Sequence, residues 1–206
     1  MCPRTASQAS SGAIRKPVPI SRYIVFFSIV AIGCSVDLAT KSWMFSPENL
    51  GMPHERPVRW AWPNVLGFET MLNEGALFGM GQGKVMVFIT LSIIAAIGIL
   101  CWLFYAGAAR DWLLTAALGC ITAGIFGNLY DRFGLHGLKW EFGHPAHTPG
   151  DPVYAVRDWI KLMIGKFPWP NFNIADALLV CGAVLLIWHA FRANPQAQEQ
   201  PAKEAN

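Results

Sequence analysis

The chain has 206 residues, of which 53% are hydrophobic and only 14% charged, with a net charge of +3. So little charge cannot cover a soluble domain of this size, and no Lys/Arg-rich block with interleaved aromatics points to nucleic acid. The cysteines (Cys2, Cys34, Cys101, Cys120 and Cys181) form no CxxC pair and four lie inside apolar runs, a pattern that speaks for small packing residues and against a disulfide or zinc framework.

Residues 1–19 carry Pro, Ser, Arg and Lys without an apolar period and predict a flexible N-terminal tail. Ile20 to Trp43 predicts the first membrane span, interrupted late by Asp37 and Lys41. Arg15, Lys16 and Arg22 ahead of its 14-residue apolar stretch imitate the flank of a secretion signal, but three more apolar runs follow, which favours an uncleaved helix. In residues 44–83, Pro47, Pro53, Pro57 and Pro63 break any helix, and the alternation from Val65 to Leu72 predicts a strand or two. Lys84 to Tyr105 predicts the second span. Val85 to Ala109 contains no formal charge, and about 20 apolar residues suffice to cross the hydrocarbon core. Gly107 to Asp111 is a tight polar link, and Trp112 to Tyr130 predicts the third span. Residues 132–172 read as a second long, polar, Pro/Gly-rich loop, Ala175 to Phe191 as the fourth span, and 194–206 as a flexible C-terminal tail.

The fold class expected is therefore mainly α: one domain over residues 20–193, with four transmembrane helices, outer loops 44–83 and 132–172, and a small extracytoplasmic β-containing loop region. Four spans put both termini on one side of the membrane. Short segments bearing Arg and Lys stay in the cytoplasm; Arg110, the N-terminal tail and Arg192 with Lys203 fit a cytoplasmic placement of the termini. The second outer loop holds Arg132, Lys139, Arg157, Lys161 and Lys166 against that trend, but long loops weigh less in the rule.

A carboxylate at a helix centre costs on the order of 3 kcal/mol on insertion scales, and this chain sets several at span ends on the predicted outer side. They are Asp37 with Lys41, Asn73-Glu74-Gly75, Asn128 with Asp131-Arg132, Asp158, and Asn173 with Asp176. Each has a plain structural reading: an i,i+4 ion pair for Asp37 and Lys41, a turn for Asn73 with Gly75, an interfacial anchor pair for Asp131 and Arg132, and helix capping for Asn173 and Asp176. Together on one membrane face they suggest a shared polar site. His189 reads as a packing or interfacial residue. The spacing of His54, His136, His144 and His147 fits no zinc template, so no metal is expected. Neither Gly-x-Ser-x-Gly nor His-Glu-x-x-His occurs, which leaves acid–base work to Asp. Two neighbouring carboxylates cannot both ionise easily; one keeps a proton while the other acts as base, a pairing that can activate water against a peptide.

In this order the stretches Asp37-Leu38-Ala39-Thr40-Lys41, Asn73-Glu74-Gly75-Ala76-Leu77-Phe78, Gly127-Asn128-Leu129-Tyr130-Asp131-Arg132, Val156-Arg157-Asp158-Trp159-Ile160 and Phe172-Asn173-Ile174-Ala175-Asp176 resemble the lipoprotein signal peptidase (signal peptidase II) family. The resemblance covers residues 37–176, and the four-helix layout matches too. It implies a membrane aspartyl endopeptidase of the bacterial inner membrane, with its active site near the extracytoplasmic face. Such an enzyme cuts diacylglyceryl-modified prolipoproteins just before the lipidated Cys. Asp158 and Asp176 correspond to the catalytic pair. Asp37, Lys41, Asn73, Gly75, Asn128, Asp131, Arg132 and Asn173 correspond to substrate-binding or supporting positions. The implied partners are diacylated prolipoproteins and membrane lipid, with no nucleic acid, no cofactor, a monomeric state and sensitivity to globomycin.

The chain departs from the family pattern in a longer stretch between Asp131 and Asp158, centred on Lys139 to Tyr154, in Arg157 where an apolar residue is usual, and in Ala123-Gly124 where a Gly pair is usual. If the Arg157 and Asp158 side chains met, the cation would lower the carboxyl's pKa. The rival readings are a small membrane transporter that uses the same carboxylates as ion ligands and a non-catalytic scaffold.

Overall fold

The computed structural model describes residues 17–75, 80–141 and 147–193. Most of the expected tails, the Ala76-Leu77-Phe78 part of the second motif, Cys2 and His144 lie outside the described residues.

Four helices are long and apolar enough to cross a bilayer: α1 (Ile20–Met44), α2 (Val85–Leu100, continued by a π-helical turn at Cys101–Tyr105), α3 (Trp112–Arg132) and α4 (Ile174–Ala193). Each falls within a few residues of the span expected from sequence. A one-turn 3-10 segment, Ala108–Arg110, joins α2 to α3, and the Asp111 carboxylate starts α3 by accepting from the Leu114 amide at 2.8 Å. His189, expected to pack or to anchor at the interface, lies 3.2 Å from Asp111 and ties the far end of α4 to this cap.

α3 is the central helix: 67% of its apolar window is buried, against 17% or less in the other three. Its small residues explain the close approach. A Cβ on Gly124 would overlap the Ala175 carbonyl oxygen of α4, and one on Gly127 would overlap the Asp37 carboxylate of α1. Small residues let membrane helices touch backbone to backbone where burying apolar surface gives little drive. Ala123, in place of the usual glycine, is accommodated because Gly33 stands opposite it on α1. The outer faces of α1, α2 and α4 display Ile24, Phe27, Ile94, Ile97, Val184 and Ile187, as a lipid-facing surface should. Cys101 and Cys181 share that exposure, while Cys34 and Cys120 are half-buried.

The ends Met44, Val85, Arg132 and Ile174 carry a four-stranded antiparallel sheet in the order β1 (Arg59–Trp62), β2 (Leu66–Asn73), β3 (Val156–Ile164), β4 (Phe167–Phe172). The first two strands meet the expectation from alternation in 44–83. The last two correct the reading of 132–172 as loop throughout. β2 and β3 pair Met71 with Asp158, Leu72 with Arg157 and Asn73 with Val156, which places the motif residues of both strands over the helix ends. Trp159 pins the sheet to the bundle in a buried cluster with Met44, Phe45 and Leu50, flanked by Phe68 and Leu138.

Candidate active site

The site begins with a buried charge cluster at the top of the bundle. Lys41 Nζ lies 2.8 Å from Asp37 Oδ2 and 3.0 Å from Asp131 Oδ2, with no side-chain exposure on any of the three. Arg157 completes it. Its backbone amide donates to Asp131 Oδ2 at 3.0 Å and its Nε to Asp131 Oδ1 at 2.9 Å. Two cations therefore balance two carboxylates, the condition under which ions persist away from water. The remaining Asp37 oxygen, Oδ1, accepts from the Ala175 amide at 2.8 Å, which fixes the start of α4 against α1.

Two expectations are corrected here. Asp131 and Arg132 are not an anchor pair: Asp131 turns inward to Lys41 and Arg157, while Arg132 donates to the Gly75 carbonyl at 3.1 Å and lies 5.1 Å from the Phe88 ring centre. Nor does Arg157 meet Asp158. Consecutive strand residues point to opposite faces, so Arg157 serves the charge cluster and Asp158 faces the other way.

Above the charges lies a layer of amides. Lys41 Nζ donates to Asn128 Oδ1 at 3.1 Å, and Asn128 Nδ2 donates to Asp176 Oδ1 at 2.7 Å. Asn173 Nδ2 donates to Asn128 Oδ1 at 3.1 Å and to Asp158 Oδ1 at 2.7 Å. Asn73 Nδ2 donates to Asp158 Oδ2 at 3.2 Å, and Asn73 Oδ1 accepts from the Gly75 amide at 3.0 Å. Asp176 and Asn173 also cap α4 reciprocally: the Asp176 amide donates to Asn173 Oδ1 at 3.0 Å and the Asn173 amide to Asp176 Oδ2 at 3.2 Å. The capping reading of this pair holds, and the same two side chains also join the amide layer. Each oxygen of Asp158 and Asp176 receives one protein N–H and keeps a further lone pair for a proton or a water. All ten residues expected from the motifs are thus brought into one connected network.

Asp158 is buried. Burial first, and the charge of Asp176 second, push its carboxyl up to about 8, against the opposing hydrogen bonds from Asn73 and Asn173 and the charge of Lys41. A raised value is the opposite of what contact with Arg157 would have produced. Two clefts meet at the pair. One of about 550 Å³ presents Asp176, Asn128 and Arg132 and runs down α4 past Leu179 and Val180. The other, of about 420 Å³, presents Asp158 and crosses the sheet past Met71, Lys161 and Pro168. Both reach Asn73 and the Trp169–Asn171 segment. Among the described residues, no group of three or more His, Cys, Asp or Glu side chains has metal-binding geometry. His136 accepts from the Leu138 amide at 3.0 Å, and burial followed by Arg157 holds its pKa below the ordinary value.

Arg157 and Glu74 are the participants that sequence reasoning did not place. Arg157 sits in a strand that was not anticipated, so its face could not be assigned. Glu74 meets His147, 73 residues away in sequence, at 2.6 Å.

Membrane-crossing helices capped by a small sheet, with buried carboxylates at the junction of two clefts, define a multi-pass membrane enzyme. Two solved structures, both described as bacterial membrane enzymes solved by the in meso method, share the fold. One matches with a TM-score of 0.64 at 22% identity, covering 90% of this chain and 95% of its own; the other has a TM-score of 0.60 at 23% identity, covering 85% and 95%. The family described as signal peptidase (SPase) II matches residues 29–192. A lipoprotein signal peptidase from Rhodopirellula baltica is 43% identical over 190 residues, 92% of this chain and 80% of the relative. Another from Methylorubrum extorquens is 30% identical over 168 residues, 79% and 83% of the two chains. The chain belongs to the lipoprotein signal peptidase (signal peptidase II) family, peptidases that remove signal peptides from prolipoproteins. This membership disfavours the transporter and scaffold readings.

Proposed function

We propose that this peptidase is of the aspartic type, with Asp158 and Asp176 as its catalytic pair sharing one proton. The observation that carries the proposal is the amide layer: Asn173 and Asn128 link the two carboxylates through bonds of 2.7–3.1 Å, with both groups facing the clefts. Asp158, pushed up to about 8, keeps the proton at neutral pH. The pair then holds a water in line with the scissile carbonyl; as one carboxylate takes a proton from that water, the other protonates the leaving amine. Asn73, Gly75, Asn128, Arg132 and Asn173 orient the pair and the peptide backbone, while Asp37, Lys41 and Asp131 brace the platform beneath.

The substrate is a diacylglyceryl-modified prolipoprotein, cut before the lipidated Cys. Its apolar signal helix and acyl chains lie in the cleft along α4, which Leu179 and Val180 line, and its peptide crosses the sheet. In this reading the termini are cytoplasmic, the sheet extracytoplasmic, the 20–193 unit works as a monomer, and globomycin blocks the clefts. The test is cleavage of a diacylglyceryl-modified precursor peptide in detergent by the wild type, Asp158→Asn and Asp176→Asn. Each variant should stay folded and lose turnover by at least about a thousandfold, the upper range of general acid–base catalysis. Turnover near the wild-type rate by either variant would remove that aspartate from the chemistry.

A further inference from the structure

Between α3 and β3 the chain pairs with itself around Lys139–Trp140 and Gly150–Pro152, and His147 from this stretch reaches the residue between Asn73 and Gly75. Lys139 bridges to Pro152 in antiparallel fashion, the Trp140 amide donates to the Asp151 carbonyl at 2.9 Å, and the Gly150 amide donates to the Trp140 carbonyl at 2.7 Å. Beside this pairing, the Val153 amide donates to the Leu138 carbonyl at 3.0 Å, and Val153 and Ala155 are fully buried. This segment runs directly into Val156 and Asp158. The His147 ring stacks on Trp140, with centroids 4.6 Å apart and planes 7° from parallel. Its Nε2 lies 2.6 Å from Glu74 Oε1. With Nε2 as the donor, this is a short hydrogen bond onto the Glu74 carboxylate.

Glu74 stands between two residues that touch the site. Asn73 donates to Asp158, and Gly75 both donates to Asn73 and accepts from Arg132. β2 ends at Asn73, opposite Val156, so the Glu74–His147 contact ties the segment after β2 to the segment before β3, beyond the last rung of the ladder. Neither residue lines the two clefts.

We propose that His147 is a positioning residue for the peptidase: by holding Glu74 it fixes the Asn73–Gly75 turn, and through Asn73 it aims the Asp158 carboxyl. The inference rests on the assignment of Asp158 to the catalytic pair. The experiment is steady-state cleavage of a diacylglyceryl-modified precursor peptide by the full-length protein in detergent, with thermal melts of each variant. His147→Ala and Glu74→Ala should each lower kcat roughly fivefold and leave KM within about twofold, the size expected for one hydrogen bond that acts on geometry. His147→Gln, whose amide can still donate to Glu74, should restore most of the rate. The double variant should be no worse than the worse single one.

If His147→Ala does not fold, Glu74→Ala decides, because it leaves the Trp140 stack intact. An unchanged kcat in a folded variant overturns the proposal, and so does a loss in His147→Gln equal to that in His147→Ala. Asp158→Asn in the same assay separates the two levels. If it still cleaves, the catalytic assignment fails. If it is dead while His147→Ala matches the wild type, only the positioning role fails.

Discussion

Replacing Asp158 by Asn should make the protein more stable at alkaline pH while removing its activity. In the folded state the Asp158 carboxyl binds its proton up to a pH of about 8, against an ordinary value of 3.8, because it is buried and faces Asp176. The native state therefore holds this proton more tightly than the unfolded chain does. The wild type meets no penalty below about pH 4, loses stability progressively between about 4 and 8, and carries the full penalty above 8. A rise of that size corresponds, at 1.36 kcal/mol per pH unit, to a ceiling of roughly 6 kcal/mol; relaxation of Asn73 and Asn173 and admission of water bring the expected effect down to a few kcal/mol. Asn is neutral throughout, as the protonated acid is, and keeps one carbonyl acceptor for the Asn73 or Asn173 amide in place of two oxygens, a pH-independent loss. For a chain of this size each kcal/mol moves the melting temperature by roughly 2–4 °C. Melts followed by tryptophan fluorescence in detergent should thus show Asp158→Asn gaining several degrees on the wild type between pH 3.5 and pH 9. A difference that stays flat or reverses as pH rises would refute the reasoning.

Three further outcomes follow from the packing. Lys41→Met should destabilise the protein by roughly 3–5 kcal/mol in thermal melts, because two buried carboxylates lose a shared cation. Gly124→Ala should cost about 1–3 kcal/mol through its overlap with the Ala175 carbonyl and Leu179; Gly98→Ala, with open space around it, should be neutral or slightly stabilising in the same melts. Asn128→Ala removes the link between Lys41, Asn173 and Asp176 and should lower kcat by about a hundredfold, a larger effect than its stability loss alone would produce, measured on the lipidated precursor.

The spans and the motif residues were legible in the sequence for different reasons. Uninterrupted apolar runs such as 85–109 have one physical explanation in a chain so poor in charge. The polar residues stood out because they were set at the ends of those runs. The second half of the sheet was not legible. β3 reads Val-Arg-Asp-Trp-Ile-Lys-Leu-Met-Ile, and neighbouring charges at Arg157 and Asp158 erase the alternation that marks a half-buried strand. β4 contains Pro168 and Pro170, which argue against a central strand but are tolerated here because β4 lies at the sheet edge. Missing β3 had a direct consequence. Arg157 looked like a perturbation of Asp158, whereas strand geometry sends the two side chains to opposite faces and gives Arg157 to Asp131. The Glu74–His147 pair could not be anticipated either, since nothing local relates residues joined only by tertiary folding.

The measurement that bears most directly on the proposed chemistry is single-turnover cleavage of a diacylglyceryl-modified precursor by Asp176→Asn. Asn at this position can still accept from Asn128, so the variant should remain folded and should still bind the precursor. The precursor should stay bound and uncut over many wild-type half-lives. Release of the signal peptide by a folded Asp176→Asn at close to the wild-type rate would contradict it.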